Sequence, residues 1–201
     1  MKKLFAFVLS VAFALILLVS SVSAATSHTV VRGDTMWKIA VKYQTGISEM
    51  KSANPHIKNP DLIYPGQVLT IPDKDETAAE FEAEVIRLVN KERASRGIKP
   101  LGHNWELSRV ARYKSMDMRN NGYFSHTSPT YGSPFQMIKS FGIDYRTAGE
   151  NIAKGQRTPE QVVSAWMNSS GHRANILNSS FTSIGVGYNS DGHYWTQMFI
   201  G

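Results

Sequence analysis

Hydrophobic and polar positions change rhythm along the chain, and each change marks an expected element. A basic head, Met1-Lys2-Lys3, precedes an apolar run from Leu4 to Val19 that ends in small residues, Ser20 to Ala25. Beyond it, Thr29-Val30-Val31 reads as a brief strand. Asp34 stands at a helix N-cap position before Met36 to Tyr43, where Trp37, Ala40 and Val41 share a face at i, i+3, i+4 spacing. Gly46 interrupts the pattern, Ser48 is placed to cap a second helix through Met50 and Ala53, and Pro55 stops it. Val68 to Ile71 forms a second strand closed by Pro72. The order is strand, helix, helix, strand.

A polar, acidic stretch at 73–79 follows, opening Asp73-Lys74-Asp75-Glu76, and marks the boundary between two patterned regions; Glu76 to Glu80 is also compatible with the start of the next helix. That helix runs from about Ala79 to Ser95, with Phe81, Val85, Leu88 and Val89 as its apolar face and Gly97 as its stop. Asn104 caps a second helix through Leu107, Val110, Ala111 and Tyr113 to about Arg119, ended by Asn121-Gly122. A third covers about Pro134 to Phe141. Thr158-Pro159-Glu160-Gln161 is a helix start, with Thr at N-cap and Pro at N1, leading into Val162, Val163 and Trp166. Ser183 to Tyr188 and His193 to Ile200 are strands joined through Asn189-Ser190-Asp191-Gly192, a hairpin signal. Helices and strands in this order predict an α+β chain with layered packing.

The leading segment reads as a secretory signal peptide over residues 1–25, because its apolar run of about 16 residues is short of the ~20 a spanning helix needs. No integral membrane segment is expected after cleavage, which leaves about 176 residues of the 201. The chain has no cysteine, so each folded part must stand on its own core, and thiol nucleophiles, thiol redox chemistry and cysteine-held zinc are excluded. The formal net charge is +6, of which Lys2 and Lys3 supply +2, leaving +4 spread without a basic block. That balance suits an anionic wall and argues against nucleic acid as a partner.

Val30-Val31-Arg32-Gly33-Asp34-Thr35-Met36-Trp37-Lys38-Ile39-Ala40, with Asn54, Asn59 to Gln67 and Leu69-Thr70-Ile71-Pro72, closely resembles a LysM domain over 26–72. The resemblance implies a βααβ fold that binds N-acetylglucosamine-containing glycans such as peptidoglycan or chitin between two loops. Carried over residue by residue, the glycan contacts are Gly33, Asp34 and Thr35 on one loop and Asn59, Pro60, Asp61, Leu62 and Ile63 on the other. The helix start at Gly33 to Thr35 supplies backbone N–H groups, and Leu62 and Ile63 an apolar wall. A capping role for Asp34 and a turn-shaping role for 60–66 explain the same residues.

Phe124-Ser125-His126, Gly149-Glu150-Asn151-Ile152 and Trp166 to Leu177, together with Gly185 to Tyr188 and Tyr194 to Phe199, resemble the CAP family (cysteine-rich secretory, antigen 5 and pathogenesis-related proteins, SCP-like) in its bacterial form, over 80–201. The resemblance implies an α-β-α sandwich with a cleft carrying two His and two Glu, which in some members hold a divalent metal. His126 and Glu150 match the first His and the Glu of the Gly-Glu-Asn motif. Ser169 replaces the second Glu and Tyr194 the second His; His193 lies one residue away and, in a strand, would face the other side. His172, in Ser-Gly-His-Arg, is the natural substitute. The expected cleft is therefore His126, Glu150 and His172, with Ser169 and Tyr194 at its edge. Two imidazoles and one carboxylate are a set able to hold a metal such as Zn²⁺ with an open position, although the missing second Glu weakens that set. Asn151 is placed to orient Glu150, Gly149 to permit a tight backbone path, and Trp166, Trp195 and Phe199 to fill the core.

Two functions fit. In the first, the LysM module holds an exported protein on the cell wall or spore surface, and the CAP domain engages envelope or spore-coat proteins without catalysis. In the second, His126, Glu150 and His172 do metal-assisted or acid–base hydrolysis of an envelope component. A glycosidase wants two carboxylates flanking the bond and only Glu150 is a clear candidate, so binding leads.

Overall fold

A computed structural model describes residues 26–201; the signal peptide expected over 1–25 lies outside the described residues. In the first module, β1 (Ser27–Thr29) and β2 (Val68–Thr70) form an antiparallel pair, with α1 (Met36–Lys42) and α2 (Ile47–Ala53) between them. The strand expected at 29–31 sits two residues earlier. Thr35 caps α1, its hydroxyl accepting from the Lys38 amide at 3.1 Å. Asp34, expected in that role, instead accepts from the Val31 amide and the His28 ring, both at 2.9 Å, and so closes the turn ahead of the helix. Gly46, not Ser48, is the N-cap of α2.

The core of this module is Val30, Met36, Ile39, Ala40, Met50, Leu69 and Ile71. Of the predicted face only Ala40 is buried; Trp37 is 62% exposed because Met36 and Ile39 take the inward positions. Asn54 is fully buried and acts as a strut. Its side chain donates to Met50 O at 2.8 Å and Thr70 O at 2.7 Å and accepts from Thr70 N at 2.8 Å, joining the end of α2 to β2.

The second module begins with the helix that Glu76 to Glu80 already suggest in sequence. Asp75 caps α3 (Glu76–Ala94) by accepting from Ala78 N at 2.9 Å, so the final residues of the 73–79 linker are helical. There follow β3 (Gly102–His103), α4 (Trp105–Asn120), α5 (Pro134–Ser140), β4 (Ala148–Lys154), α6 (Pro159–Asn168), α7 (Ser170–Ile176), β5 (Ser183–Asn189) and β6 (Tyr194–Ile200). The sheet order is β3-β5-β6-β4, antiparallel except for the short parallel β3–β5 pair.

Helices cover both faces of this sheet. On one side α3, α6 and α7 bury Val85, Val89, Val162, Trp166 and Ile176 against Trp195 and Phe199. On the other, α4 and α5 bury Leu107, Val110, Ala111, Met137 and Ile138 against Met198 and Ile200. Trp166, Trp195 and Phe199 are core residues, as expected from sequence. Burying each such side chain is worth on the order of 2–3 kcal/mol. Helix α4 lies unusually close to β5 because Gly185 and Gly187 face it; a Cβ on either would run into the α4 backbone.

The modules meet through Arg109 of α4. Its guanidinium donates to Glu49 Oε1 at 2.6 Å, to Glu49 Oε2 at 2.8 Å and to Ser48 Oγ at 2.8 Å. The same group lies over the rings of Tyr113 and Phe141, 5.3 and 5.1 Å from their centroids.

Candidate functional site

Strand β4, between α5 and α6 in sequence, runs along the sheet edge paired only to β6. Successive side chains alternate between faces. Glu150 is thereby turned to the α4 side with its register partner Met198, and Asn151 to the α7 side with Gln197. The loop between α4 and α5 brings His126 over the first of these faces. His126 Nδ1 meets Glu150 Oε1 at 2.6 Å; the His side chain is 53% exposed and the Glu side chain 1%. One carboxylate oxygen is thus engaged, while Glu150 Oε2 is buried without a hydrogen-bond partner.

The His126 loop is tied to α4 by two charged residues one turn apart. Lys114, fully buried, donates to His126 O at 2.9 Å and to Tyr123 Oη at 3.0 Å. Asp117 accepts from Tyr123 Oη at 2.5 Å, Ser128 Oγ at 2.7 Å and Thr130 Oγ1 at 2.7 Å. Burial alone would raise the Asp117 pKa, but these three donors outweigh it and hold the carboxylate low. Burial lowers Lys114, against the attraction of Glu150 and Asp117.

The hydrogen bond to Glu150 raises His126, against partial burial and the Lys114 charge. Burial raises Glu150, and its contacts with His126 and Lys114 offset only part of that. Both shifts have one sense: the pair holds its protons to higher pH than free side chains would. The geometry can therefore donate or accept a proton at His126, with Glu150 fixing the ring through Nδ1.

The remaining expected cleft residues divide. His172 lies on α7, and its pKa is lowered by burial and then by the charge of His126, so the two imidazoles feel one another. Its carbonyl accepts from Asn151 Nδ2 at 3.1 Å. Asn151 also bonds Gln197 Oε1 and Asn175, and therefore fixes α7 to β4 instead of orienting the Glu150 carboxylate, which is on the opposite face. Ser169 is the hinge residue between α6 and α7 and makes no side-chain cap. Tyr194 is 6% exposed and packs with Met118 and Ile152 under Tyr123, a buried wall instead of a cleft edge. His193 is outside the strand, at φ +51° in the hairpin turn, with Nδ1 2.7 Å from Tyr188 Oη. Gly149 fits its expected role, since a Cβ there would press on the Phe181 ring.

The metal set does not assemble. Among the described residues no group of three or more His, Asp or Glu side chains is placed to hold a metal ion. His126 Nδ1 is spent on Glu150, and the positive charge of the buried Lys114 ammonium already acts on that pair.

Lys114, Asp117 and Tyr123 were not singled out from sequence. A signal existed: Val110, Lys114 and Met118 stand at i, i+4, i+8, so the lysine lies on the buried stripe of α4.

In the first module the segments flanking the two expected glycan loops are joined by two backbone bonds, Val30 N to Gln67 O and Gly66 N to Val30 O, both 2.8 Å. Gly33 adopts φ +94°, a left-handed turn that favours glycine, and Lys38 Nζ donates to its carbonyl at 2.8 Å. Asn59 Oδ1 accepts from Asp61 N at 3.0 Å and shapes the second loop. Gly33, Thr35, Asn59, Asp61 and Leu62 are exposed, Pro60 is half-buried, and Ile63 leans on the module core. Val31, Leu62 and Tyr64 add exposed apolar surface at 58, 53 and 55%.

The family model described as "Cysteine-rich secretory protein family" (CAP) matches residues 86–199, and that of the LysM domain matches residues 28–72. The chain is 62% identical over 125 residues to the uncharacterized protein YkwD of Bacillus subtilis strain 168, covering 62% of this chain and 49% of that one. Its LysM part is 47% identical over 47 residues to the spore coat assembly protein ExsA of Bacillus cereus, 23% of this chain and 7% of the relative. Among solved structures, an extracellular protein containing an SCP domain from Bacillus anthracis is similar with a TM-score of 0.60 and 32% identity, over 68% of this chain and 47% of that one. The chain thus spans about half or less of the length of these relatives. With the sandwich, the His126–Glu150 pair and the matched segment all in agreement, this cysteine-free chain belongs to the cysteine-rich secretory protein (CAP) family, its CAP domain preceded by a LysM domain.

Proposed function

We propose that this is an exported, wall-associated protein whose LysM domain binds peptidoglycan or a related N-acetylglucosamine glycan and so keeps the CAP domain at the cell wall or spore surface. The observation that carries this reading is the pair of exposed loops at Gly33–Thr35 and Asn59–Ile63, whose flanking segments are joined by the bonds of Val30 to Gly66 and Gln67. They offer backbone polar groups and the exposed side chain of Leu62, a surface suited to acetamido groups on a flat sugar chain. The Bacillus cereus relative, a spore coat assembly protein, is in keeping with a wall or coat setting for this kind of module. The CAP domain then acts as a binding partner for envelope or spore-coat components. Titrating the ¹⁵N-labelled mature chain with a short N-acetylglucosamine oligomer tests the reading. Shifts concentrated in 30–35 and 59–67 are expected; no shifts, or shifts only beyond residue 80, would contradict it.

A second reading rests on the His126–Glu150 contact. With Nδ1 held by a buried carboxylate, Nε2 of an exposed imidazole is the atom that would take a proton from water attacking an envelope bond. Release of soluble fragments from purified peptidoglycan, abolished by His126→Ala and by Glu150→Gln, is the outcome this reading requires. Release that persists in both variants would exclude the pair.

A further inference from the structure

The two domains meet around a cleft of about 500 Å³ whose walls come from both. Trp37 stands on the LysM side, two residues beyond Thr35, and 62% of its surface is exposed. Trp105, Tyr113 and Phe141 line the CAP side, and Ser48 and Glu106 supply polar edges. The cleft is built and held. Arg109 bridges its floor to Glu49 and Ser48 while lying over Tyr113 and Phe141, and Gly46 packs so closely on that guanidinium that a Cβ would collide with it.

The lining selects among ligands. The arginine charge is already taken up by Glu49, so the cleft offers an anion little. The exposed indole of Trp37 and the half-buried one of Trp105, beside hydroxyl and carboxylate edges, suit a neutral ring with an apolar C–H face and hydrogen-bonding rim. Its size and its position at a domain boundary are those of a ligand site. A pyranose chain has that chemistry, and α1, which carries Trp37, starts at one of the two proposed glycan loops.

We propose that this interdomain cleft is a second carbohydrate subsite, which takes up further sugars of the glycan held by the LysM loops. The inference rests on the LysM reading above. Two linked subsites on one strand raise affinity for ligands long enough to reach both, and leave short ones unaffected.

Calorimetry on the full mature chain tests this with N-acetylglucosamine oligomers of about three and about eight sugars. The longer oligomer is expected to bind at least about tenfold more tightly. Trp105→Ala should remove that gain while leaving the short oligomer's affinity unchanged. Trp37→Ala, at a site outside the LysM core, should also cut the gain and guards against a folding defect in the first variant. If the gain is absent in the wild type, or survives both substitutions, the cleft subsite is overturned; the LysM reading still stands provided Leu62→Asp abolishes short-oligomer binding. If no oligomer of either length binds the wild type, both fall.

Discussion

Glu150 is the residue on which the CAP site turns, because a carboxyl 1% exposed is held by one imidazole and feels one buried ammonium. His126 has its pKa raised on folding, so its contribution to stability is complete below the ordinary histidine value of about 6.5 and is lost as pH climbs through the raised one. Glu150 adds in the same sense: burial favours its neutral acid, an advantage lost as pH rises through its raised folded value. Glu150→Gln should therefore lower the His126 pKa, since the carboxylate bond goes while burial and the Lys114 charge remain. Imidazole ¹H chemical shifts across the pH range read this directly, and an unmoved His126 would refute the pairing. Arg93, 1% exposed, donates to the carbonyls of Lys99, Ile176 and Asn178 at 2.8–2.9 Å, joining α3 to the chain after α7. Arg93→Met strands those acceptors and should cost on the order of 3 kcal/mol in urea unfolding. Half of the His–Glu pair's logic was visible beforehand, in the matched His126 and Glu150. What was hidden was the face each neighbour takes: Asn151, adjacent to Glu150, points to the opposite side, and Tyr194 is buried against Ile152. Alternation along β4 decides the first, and β4 itself has too little hydrophobic alternation in Ala148-Gly149-Glu150-Asn151 to announce a strand.

Among the elements, α4 carries most of the architecture. It packs on β5 and β6, anchors the His126 loop through Lys114 and Asp117, and reaches the LysM domain through Arg109. Its closeness to the sheet depends on Gly185 and Gly187. Gly187→Val would drive a side chain into the backbone at Ala111 and Arg112, and should destabilise by about 3 kcal/mol, with a lowered denaturation midpoint as the measure. Helix and strand existence was readable for the elements with a clear period or cap: Asn104, Thr158 and the Pro134 start all hold. Boundaries shifted where two caps competed. Thr35 displaced Asp34 because His28, in β1, and the Val31 amide capture the Asp carboxylate, the first a contact no local pattern contains. Likewise α3 starts at Glu76 because the Asp75 carboxylate reaches Ala78 N, so residues 76–79, compatible in sequence with either linker or helix, are helical.

At the scale of the whole molecule, Arg109 decides whether the two domains act as separate bodies. It is the donor in three hydrogen bonds across the junction, to Glu49 and Ser48, and these fix the aromatic cleft above it. With Arg109→Ala, ¹⁵N relaxation should report a shorter rotational correlation time for residues 27–70 than for 80–200, where the wild type gives one common value. Equal values in the variant would mean the junction is held by other contacts. The family assignment and the fold stand on the matched segments and the sandwich; attachment to a wall glycan is the claim that gives the two-domain arrangement its purpose. Cosedimentation of the mature chain with insoluble peptidoglycan, beside its Leu62→Asp variant, tests that claim most directly, since Leu62 is an exposed loop residue whose replacement leaves the LysM core intact. The wild type is predicted to pellet with the wall and the variant to stay in the supernatant with an unchanged circular dichroism spectrum; a folded variant that pellets as fully as the wild type would contradict it.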